Sequence, residues 1–308
     1  MRVLIAGTGG VGGFFGAHLA RAGHEVVFLA RGENLAALRS AGLTVESIDG
    51  DFHLSRITAA DRVDGAEPFG LVLVTVKSYD TAAVARQIAP TVREDTVVLS
   101  LQNGVENETI LAAELDLVPL MGAMTEIGAE LVAPGVVRHV AEGTIFFGEM
   151  NGHESPRGRN LATLFTEAGI RHRFSREIPV ALWGKLMWNA GHNGVTALTH
   201  TTAAAAANQP ATADVMRTAM HEVVAVARAQ GILLDPARVE STLAFSREHL
   251  HALRTSMLQD LERGRRLEYD AINGAVVRFG DAVGVPTPVN RTLTGLLAAL
   301  DPGAAPRS

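Results

Sequence analysis

The chain contains no cysteine among its 308 residues. Disulfides, thiolate metal sites, iron–sulfur clusters and a cysteine nucleophile are therefore excluded, and a cytoplasmic location is expected. No uninterrupted apolar run approaches the roughly 18 residues that a membrane span requires. An excess of positive charge is missing too, because the formal net charge is -6. Neither nucleic acid nor a membrane surface is therefore an expected partner.

Several catalytic signatures are also missing. His221-Glu222 begins like a zinc protease pattern, but Ala225 stands where the second histidine should be. The other histidines show no metal-ligand spacing, so no metal is expected. A phosphate-binding Walker loop and a G-x-S-x-G nucleophile elbow are absent as well. The sequence therefore gives no support to hydrolase or phosphotransferase chemistry.

Lysine is scarce, since the 27 basic residues are 25 arginines and only Lys77 and Lys185. Such a bias is typical of a GC-rich genome, in which surface cations drift toward arginine. An arginine stays charged at any working pH, whereas its surroundings can tune a lysine to give up a proton. These two lysines are therefore the first candidates for a functional role.

The hydrophobic content, 47%, is enough for a sizeable core. At roughly 100 to 200 residues per domain, the length predicts two domains. Residues 1–20 combine Arg2 with an apolar stretch, as a secretory signal does, but the six glycines within it disfavour a short apolar helix. No targeting segment is expected.

The first half of the chain alternates short apolar runs with helical segments. The runs at residues 3–6 and 26–29 flank glycines and a helical stretch to about Ala22, which together make one βαβ unit. Further strands are predicted at residues 71–76, 97–101, 118–121, 136–140 and 144–148, and further helices at residues 81–88 and 156–168. The alternation predicts an α/β fold whose N-terminal part is a Rossmann-type, doubly wound parallel sheet.

Beyond about residue 175, strand candidates disappear. Apolar residues recur at helical spacing in two series, Met216, Met220, Val223, Val224 and Ala227, and then Leu243, Leu250, Leu253 and Met257. The alanine-rich stretch at residues 201–207 and the following Gln209-Pro210 are predicted to form a loop or a frayed turn. We therefore predict a dinucleotide-binding domain at residues 1–175 and an all-helical substrate and catalytic domain at residues 176–308.

A glycine-rich motif lies between the first strand and the first helix. Gly7, Gly9 and Gly12, with Gly10 among them, fit G-x-G-x-x-G. In this motif the first glycine permits the tight turn, the second lets the backbone approach a pyrophosphate, and the third lets helix and strand pack closely. The helix N-terminus then faces the phosphates. The alternative is a turn without a ligand, but the strand–turn–helix context favours dinucleotide binding.

The end of the second strand predicts which dinucleotide is bound. An acidic residue there would hold the ribose 2'-hydroxyl of NAD, but the sequence offers Arg31 instead. A charged hydrogen bond from this arginine to a 2'-phosphate is worth roughly 1.5 to 3 kcal/mol. We therefore expect NADPH, although Glu33 nearby weakens the argument and a solvated Arg31 is the alternative.

Two polar residues follow strands of the predicted sheet. Lys77 comes just after residues 71–76, and Asn103, with Gly104, comes just after residues 97–101. The carboxyl ends of parallel strands are where an open α/β sheet binds its ligand. Both side chains are therefore predicted to meet the nicotinamide end of the cofactor or the substrate, the alternatives being a solvated lysine and a simple turn.

Lys185 begins a polar series at helical spacing. It precedes Asn189 and Asn193 by four and eight residues, so the three share a face if the segment is one helix. Both tryptophans of the chain, Trp183 and Trp188, flank the lysine. Desolvation lowers the pKa of an amine toward neutrality, which suits a general acid. The alternative is a lysine that extends beside an apolar face into water.

Glu268 and Ser256 are less distinctive in the sequence. Glu268 lies near the predicted start of a helix, where a carboxylate often only complements the helix dipole. Ser256 alone is indistinguishable from an ordinary exposed serine.

Together these residues resemble the 2-dehydropantoate 2-reductases, or ketopantoate reductases, over nearly the whole chain. The matching positions are Gly7 to Gly16, Arg31, Lys77, Asn103-Gly104, Leu182 to Leu186 with Asn189 and Asn193, Ser256 to Asp260, and Glu268 with Asn273-Gly274. The resemblance implies NADPH-dependent reduction of 2-dehydropantoate to (R)-pantoate in pantothenate and coenzyme A synthesis. It also implies a fold like that of the 6-phosphogluconate dehydrogenase superfamily, with a cleft between its domains.

The resemblance also implies roles for individual residues. Lys185 would protonate the keto oxygen as hydride arrives, and Glu268 would hold the substrate or the lysine in register. Asn103 would position the nicotinamide and the keto group. Cofactor binding would fall to Gly7, Gly9, Gly10, Gly12, Arg31, Lys77 and Asn103, and substrate binding to Asn189, Asn193 and Ser256. A small 2-oxo acid is the expected partner, and a homodimer is left open.

One segment departs from the family pattern. After Asn193, members commonly continue into a loop with asparagine and glycine, whereas this chain has His200-Thr201-Thr202 and a run of alanines. The far end of the substrate pocket is therefore expected to differ. Two alternatives stay open: a reductase of the same fold for another 2-oxo acid or an imine, and a protein that senses NADPH without turnover.

Overall fold

The chain folds into two compact units in a computed structural model that describes residues 1–63, 67–116 and 120–303. The first unit comprises Met1–Gln102 and Asn107–Ile178, and the second comprises Asn103–Glu106 and the chain from Pro179 onward. Four residues of the N-terminal half therefore belong to the second unit. The single boundary predicted between residues 175 and 176 does not include the assignment of residues 103–106 to the second unit.

The strands lie in the first unit. In chain order they are β1 (Arg2–Ala6), β2 (Glu25–Leu29), β3 (Leu43–Ser47), β4 (Phe52–Leu54), β5 (Thr58–Ala60), β6 (Leu71–Val74), β7 (Val97–Ser100), β8 (Met121–Ala133), β9 (Val136–Glu149) and β10 (Arg171–Phe174). The helices of this unit are α1 (Gly10–Arg21), α2 (Gly32–Ala41), α3 (Thr81–Ile88), α4 (Asn107–Leu115) and α5 (Pro156–Glu167).

A parallel sheet forms the centre of the first unit, with strand order β5-β2-β1-β6-β7. Residues 71–74 of β6 are all buried, because apolar side chains cover both faces of the sheet. The predicted strands at residues 3–6, 26–29, 71–76 and 97–101 are confirmed as β1, β2, β6 and β7. The predicted Rossmann-type fold class is thus confirmed.

A second, mixed sheet packs in the same unit and was not predicted. The long strand β9 pairs antiparallel with β8 and parallel with β3 and β10, while β4 pairs antiparallel with β3. The sequence predicts two strands, at residues 136–140 and 144–148, where β9 is continuous. Glu142 and Gly143 have positive φ values of 58° and 110°, so the apparent turn is an irregularity within one strand. Of the strand predicted at residues 118–121, residues 118 and 119 lie outside the described residues, and Met121 begins β8.

The second unit is helical, as predicted. Its elements are α6 (Ile178–Thr199), whose first residue belongs to the first unit, α7 (Ala203–Asn208), α8 (Pro210–Ala229), α9 (Ala237–His249), α10 (Ser256–Glu262), a π-helical turn (Asp270–Gly274), α11 (Ala275–Val283) and α12 (Pro288–Leu300). The predicted apolar series from Met216 to Ala227 is buried on α8.

Two predictions for this unit are wrong. The alanine-rich stretch predicted as a loop is the helix α7, in which the Thr202 hydroxyl accepts a hydrogen bond from the Ala205 amide. Alanine is the strongest helix former, and four buried alanines let α7 pack closely. The series from Leu243 to Met257 is not one helix, because α9 ends at His249 and α10 begins at Ser256.

No helix in the described ranges is long and apolar enough to cross a membrane. The same ranges contain no group of three or more histidine, aspartate or glutamate side chains arranged to hold a metal ion.

Candidate functional site

The glycine motif joins β1 to α1 in a turn that requires small residues at two of its positions. Gly7 has a φ of +117°, and a Cβ there would lie 2.6 Å from the Val76 amide nitrogen. A Cβ on Gly12 would lie 2.2 Å from the Gly7 carbonyl oxygen and 2.4 Å from Thr75 Oγ1. These two glycines are therefore required by close packing between the loop, α1 and the end of β6.

Gly9 differs from these two, because a Cβ built on it would meet no atom within 4 Å. The protein's own packing does not explain a glycine at this position. The position directly precedes α1, and glycine has no side chain with which to cap that helix. An open backbone beside a helix N-terminus fits a bound pyrophosphate. The loop therefore has the geometry that a dinucleotide needs.

Gly10 is small for another reason. A Cβ on this residue would lie 2.4 Å from the carbonyl oxygen of Ala129, because β8 crosses close to the start of α1. The sequence predicts Gly10 as part of the cofactor loop, but its predicted strand at residues 118–121 does not extend to Ala129 of β8.

Three side chains hold the loop in place: Thr8 of the loop itself, Thr75 just after β6, and Asn34 of α2. The Thr8 hydroxyl donates to the Leu29 carbonyl at 2.8 Å, and Thr75 Oγ1 donates to the Gly7 carbonyl at 2.6 Å. Asn34 Nδ2 donates to the Thr8 carbonyl at 2.7 Å, while Asn34 Oδ1 accepts from the Gly135 amide at 2.8 Å. Neither Asn34 nor Thr75 is among the residues predicted from the sequence. The only signal in the sequence is that Asn34 follows Arg31 by three residues and that Thr75 directly follows β6.

Arg31 and Lys77 lie at the same edge of the parallel sheet as the glycine loop. Arg31 follows β2 and is the exposed N-terminal flanking residue of α2. Lys77 follows β6 by three residues and begins a short 3₁₀ turn at Ser78–Asp80. Since β1, β2 and β6 are parallel neighbours, their carboxyl ends share one edge. The first unit therefore brings together the residues predicted to bind the cofactor, except Asn103.

Asn103 belongs to the second unit, where it joins other predicted residues. Its Nδ2 donates to Glu268 Oε2 at 3.3 Å, and its Oδ1 accepts from Asn189 Nδ2 at 3.5 Å. Asn189 Oδ1 in turn accepts from Asn193 Nδ2 at 3.4 Å. Residues from three distant parts of the sequence thus form one chain of side-chain hydrogen bonds, here called the amide chain.

The amide chain is mostly buried and has an open end. Asn189, Asn193 and Glu268 are buried, and Asn103 is half-buried. Asn193 Oδ1 has no hydrogen-bond partner in the described part of the chain. An unsatisfied buried acceptor costs free energy, so this oxygen suits a donor brought by a ligand, such as a hydroxyl group.

Lys185 lies half-buried on α6, and Asn189 and Asn193 follow on the same helix. The expectation of one helix with the three residues on one face is therefore confirmed. Its neighbour Trp183 is buried in the core of the second unit. The position agrees with a lysine whose stem packs against an apolar face.

Glu268 directly precedes an unusual helix start. Tyr269 leads into the π-helical turn Asp270–Gly274, which continues as α11. Such π-turns are rare and occur often at functional sites. The sequence placed Glu268 near a helix start but gave no sign of the π-turn.

A buried hydrogen-bond network behind the π-turn was also missed. Asn273 Nδ2 donates to the Ala190 carbonyl of α6 at 3.0 Å and to Asn290 Oδ1 at 2.9 Å. Glu222 Oε2 accepts from the Asn290 amide at 2.9 Å and from its side chain at 2.6 Å. The carboxylate that resembled part of a zinc motif therefore connects α8 to α12, and the network ties the π-turn to α6.

Ser256 is exposed at the first position of α10. The preceding Thr255 is buried, and its hydroxyl lies 2.7 Å from Thr196 Oγ1 of α6. The structure thus links the segment of Ser256 to the helix of Lys185. No described hydrogen bond of the amide chain includes Ser256 itself.

Comparison with known proteins gives matches along nearly the whole chain. A family model described as ketopantoate reductase PanE/ApbA matches residues 3–152, and its C-terminal counterpart matches residues 177–301. The 2-dehydropantoate 2-reductase of Archaeoglobus fulgidus is 36% identical over 98% of each chain. A PanE/ApbA family ketopantoate reductase from Ralstonia eutropha JMP134 has a similar structure, with a TM-score of 0.90, 36% identity, and coverage of 97% of this chain and 98% of that one. The ternary structure of a D-mandelate dehydrogenase with NADH and anilino(oxo)acetate also gives a TM-score of 0.90, at 25% identity and the same coverage.

Proposed function

The chain belongs to the ketopantoate reductase PanE/ApbA family, and from this we propose that it reduces 2-dehydropantoate to (R)-pantoate with NADPH. The observation that carries the proposal is the amide chain on the helix of Lys185. A protein that only senses a dinucleotide has no use for Asn103, Glu268 and a lysine in one unit. The product would serve pantothenate and coenzyme A synthesis.

The residues that would hold NADPH lie in the first unit. The pyrophosphate would bind at the open backbone of Gly9 and the N-terminus of α1, and Arg31 would pair with the 2'-phosphate. Lys77 would contact the cofactor from the end of β6. The bound cofactor supplies a hydride to the keto carbon of the substrate.

Lys185 is the proposed general acid. Reduction of a ketone leaves negative charge on its oxygen, and a positioned ammonium group both stabilises this charge and donates the proton. Glu268 holds the substrate or the lysine in register. Asn103 donates to Glu268 in the free protein, and it positions the keto group and the nicotinamide in the complex.

The substrate-binding residues in this proposal are Asn189, Asn193 and Ser256. The open acceptor, Asn193 Oδ1, takes a hydrogen bond from the substrate hydroxyl. Ser256 takes the substrate carboxylate from its position at the start of α10, where the helix dipole favours an anion. The two units would accordingly be a dinucleotide-binding domain and a substrate domain.

A second candidate is the reduction of another 2-oxo acid. The solved D-mandelate dehydrogenase supports it, because a protein with that activity shares nearly the whole fold. The buried alanines of α7, which follow the helix of the amide chain, are the part of this chain that departs from the family pattern. Imine reduction and NADPH sensing without turnover are the remaining alternatives.

The decisive experiment follows NADPH absorbance with a panel of 2-oxo acids that includes 2-dehydropantoate, an aryl 2-oxo acid and short aliphatic ones. We expect the highest kcat/KM with 2-dehydropantoate. A higher value with another acid would disprove the proposed substrate. If no member of the panel supports NADPH oxidation, the proposal that the chain reduces a 2-oxo acid is disproved. A cyclic imine added to the panel then separates imine reduction from NADPH sensing.

A homodimer and a cytoplasmic location stay predictions. Light scattering of the purified chain tests the first, and fractionation of the source cells tests the second.

A further inference from the structure

Residues 103–106 are held in the second unit by more than the bonds of Asn103. Val105 packs against the apolar core of that unit, which contains Trp183 and Leu186. Glu106 is bound by an arginine of α11, Arg278. The segment that carries Asn103 is therefore fixed at both of its ends.

The bond between Arg278 and Glu106 has bidentate geometry. Arg278 Nε donates to Glu106 Oε1 at 3.1 Å, and one terminal guanidinium nitrogen donates to Glu106 Oε2 at 2.5 Å. Two parallel charged hydrogen bonds fix orientation as well as distance. The pKa of Arg278 is raised, first by its hydrogen bond to Glu106, in spite of partial burial.

The same guanidinium binds the π-turn on its other side. Its second terminal nitrogen donates to Asp270 Oδ1 at 2.7 Å, and the nitrogen that contacts Glu106 also donates to the Asp270 carbonyl at 2.9 Å. Gly274 leaves room for this pair, since a Cβ there would lie 2.7 Å from Asp270 Oδ1 and 3.3 Å from the guanidinium. Asp270 is two residues from Glu268.

We propose that Arg278 is a positioning residue, which keeps Asn103 and Glu268 in hydrogen-bonding register by holding Glu106 and Asp270 at once. Asn103 and Glu268 are 165 positions apart in the sequence, and their bond is 3.3 Å long. Glu106 lies three residues after Asn103, so a shift of the clamped segment moves the amide directly. This inference rests on the proposed function, in which both residues act on the keto group.

The chain offers a matched control. Arg217 of α8 also bridges two carboxylates of the second unit, with bonds of 2.5 Å to Asp214 of α8 and 2.6 Å to Glu240 of α9. The ion pairs of Arg217 include no residue of the segment 103–106 and none of the π-turn. Arg217→Gln therefore removes an equivalent ion-pair bridge without removing the proposed clamp.

The test compares Arg278→Gln, Glu106→Gln, the double variant and Arg217→Gln, with thermal unfolding and NADPH affinity measured for each. A misplacement of about 1 Å can cost about 100-fold in rate, so we expect kcat to fall about 10- to 100-fold in both single clamp variants. The double variant should lose no more than the worse single variant, because both changes break one clamp. Arg278→Lys should recover part of kcat, and NADPH affinity should change less than twofold.

Two results would overturn the inference: a kcat within twofold of the parent in Arg278→Gln, or an equal loss in Arg217→Gln. If none of the tested substrates supports NADPH oxidation by the parent protein, the proposed function fails. The clamp is then judged from the crystal structure of Arg278→Gln. An Asn103–Glu268 bond that keeps its length there would overturn it, while a lengthened or broken bond would support it.

Discussion

Lys185 is the residue on which the proposed chemistry depends. We expect Lys185→Ala to lower kcat at least about 100-fold, the usual contribution of a general acid, while NADPH affinity stays nearly unchanged. Steady-state kinetics and a fluorescence titration with NADPH measure both quantities. Lys185→Met keeps an apolar stem of similar length and should lose as much, which separates proton donation from packing. Unchanged turnover in either variant would remove the lysine from the mechanism.

Arg31 is the residue that should set cofactor preference. Arg31→Asp removes the partner of the 2'-phosphate and offers an acceptor to a ribose hydroxyl, so preference should move toward NADH by about 10- to 100-fold. The measurement is the ratio of kcat/KM for the two cofactors. Arg39→Asp, at an exposed position of the adjoining helix α2, should leave that ratio unaltered. An equal loss for both cofactors in Arg31→Asp would contradict the assignment.

Glu108 is a buried carboxyl on α4 that the proposed mechanism does not use. Burial raises its pKa to about 7, against the opposing effect of backbone amides at Glu108 and Ala123. The folded state thus favours the protonated form, and the stability this contributes is present below about pH 4.5 and is lost as the pH rises to about 7. A shift of that size corresponds to about 3 kcal/mol.

Glu108→Gln should remove this pH dependence. The variant's advantage in unfolding free energy over the parent should grow by about 3 kcal/mol between pH 4 and pH 8. Urea unfolding at the two pH values measures the difference. An advantage of the same size at both would show that the carboxyl does not titrate in this range.

The sequence predicts the individual candidate residues, but it cannot show which of them contact one another. Helical spacing alone put Lys185, Asn189 and Asn193 on one face of α6, because that relation is local. The bond from Asn103 to Glu268 joins positions 165 apart, which no periodicity encodes. Roles for Glu268 and Ser256 came only from the family resemblance.

At the scale of elements, α12 depends on a cap supplied by another helix. Its own flanking residue, Thr287, makes no side-chain capping bond, and Glu222 of α8 accepts from the Val289 and Asn290 amides instead, at 2.8 and 2.9 Å. A carboxylate at this end also complements the helix dipole. The cap is buried, so water cannot replace it without a rearrangement.

Glu222→Ala should therefore lower the unfolding free energy by about 3 kcal/mol, because the buried amide of Asn290 and the half-buried amide of Val289 lose a charged acceptor. Chemical denaturation measures the change. Glu248→Ala, at an exposed position of α9, serves as the comparison and should stay within about 0.5 kcal/mol of the parent. A loss of less than about 1 kcal/mol for Glu222→Ala would mean that the helix start is satisfied in another way.

Elements with strong, regular patterns were predicted well, and irregular ones were not. The strand β6 is buried throughout, and the helix α3 has buried residues at helical spacing. The ends of both elements lie within two residues of the predicted ends. The short strands β4 and β5 have three residues each and mixed burial, so they carry no readable alternation. The sequence predicts a loop where α7 forms, because a run of alanines has helix propensity but shows no alternation of apolar and polar residues.

At the scale of the whole molecule, the predicted site residues are divided between the units. The glycine loop belongs to the first, and Lys185 and the amide chain belong to the second. NADPH alone should therefore slow hydrogen exchange mainly at residues 7–13, and the further addition of a 2-hydroxy acid product should be needed to slow it in α6. Exchange followed by mass spectrometry tests this order. Equal protection of both segments by NADPH alone would contradict it.

The path of the chain between the units limits how this protein can be recombined with its relatives. A chimaera joined only at residue 178 would combine one parent's helices with the other parent's Asn103, Val105 and Glu106. Arg278 of one parent would then pair with residues 103–106 of the other parent, which did not evolve beside it. Active hybrids should accordingly require that residues 103–106 be exchanged together with the C-terminal half, as a four-residue graft far upstream of the main crossover.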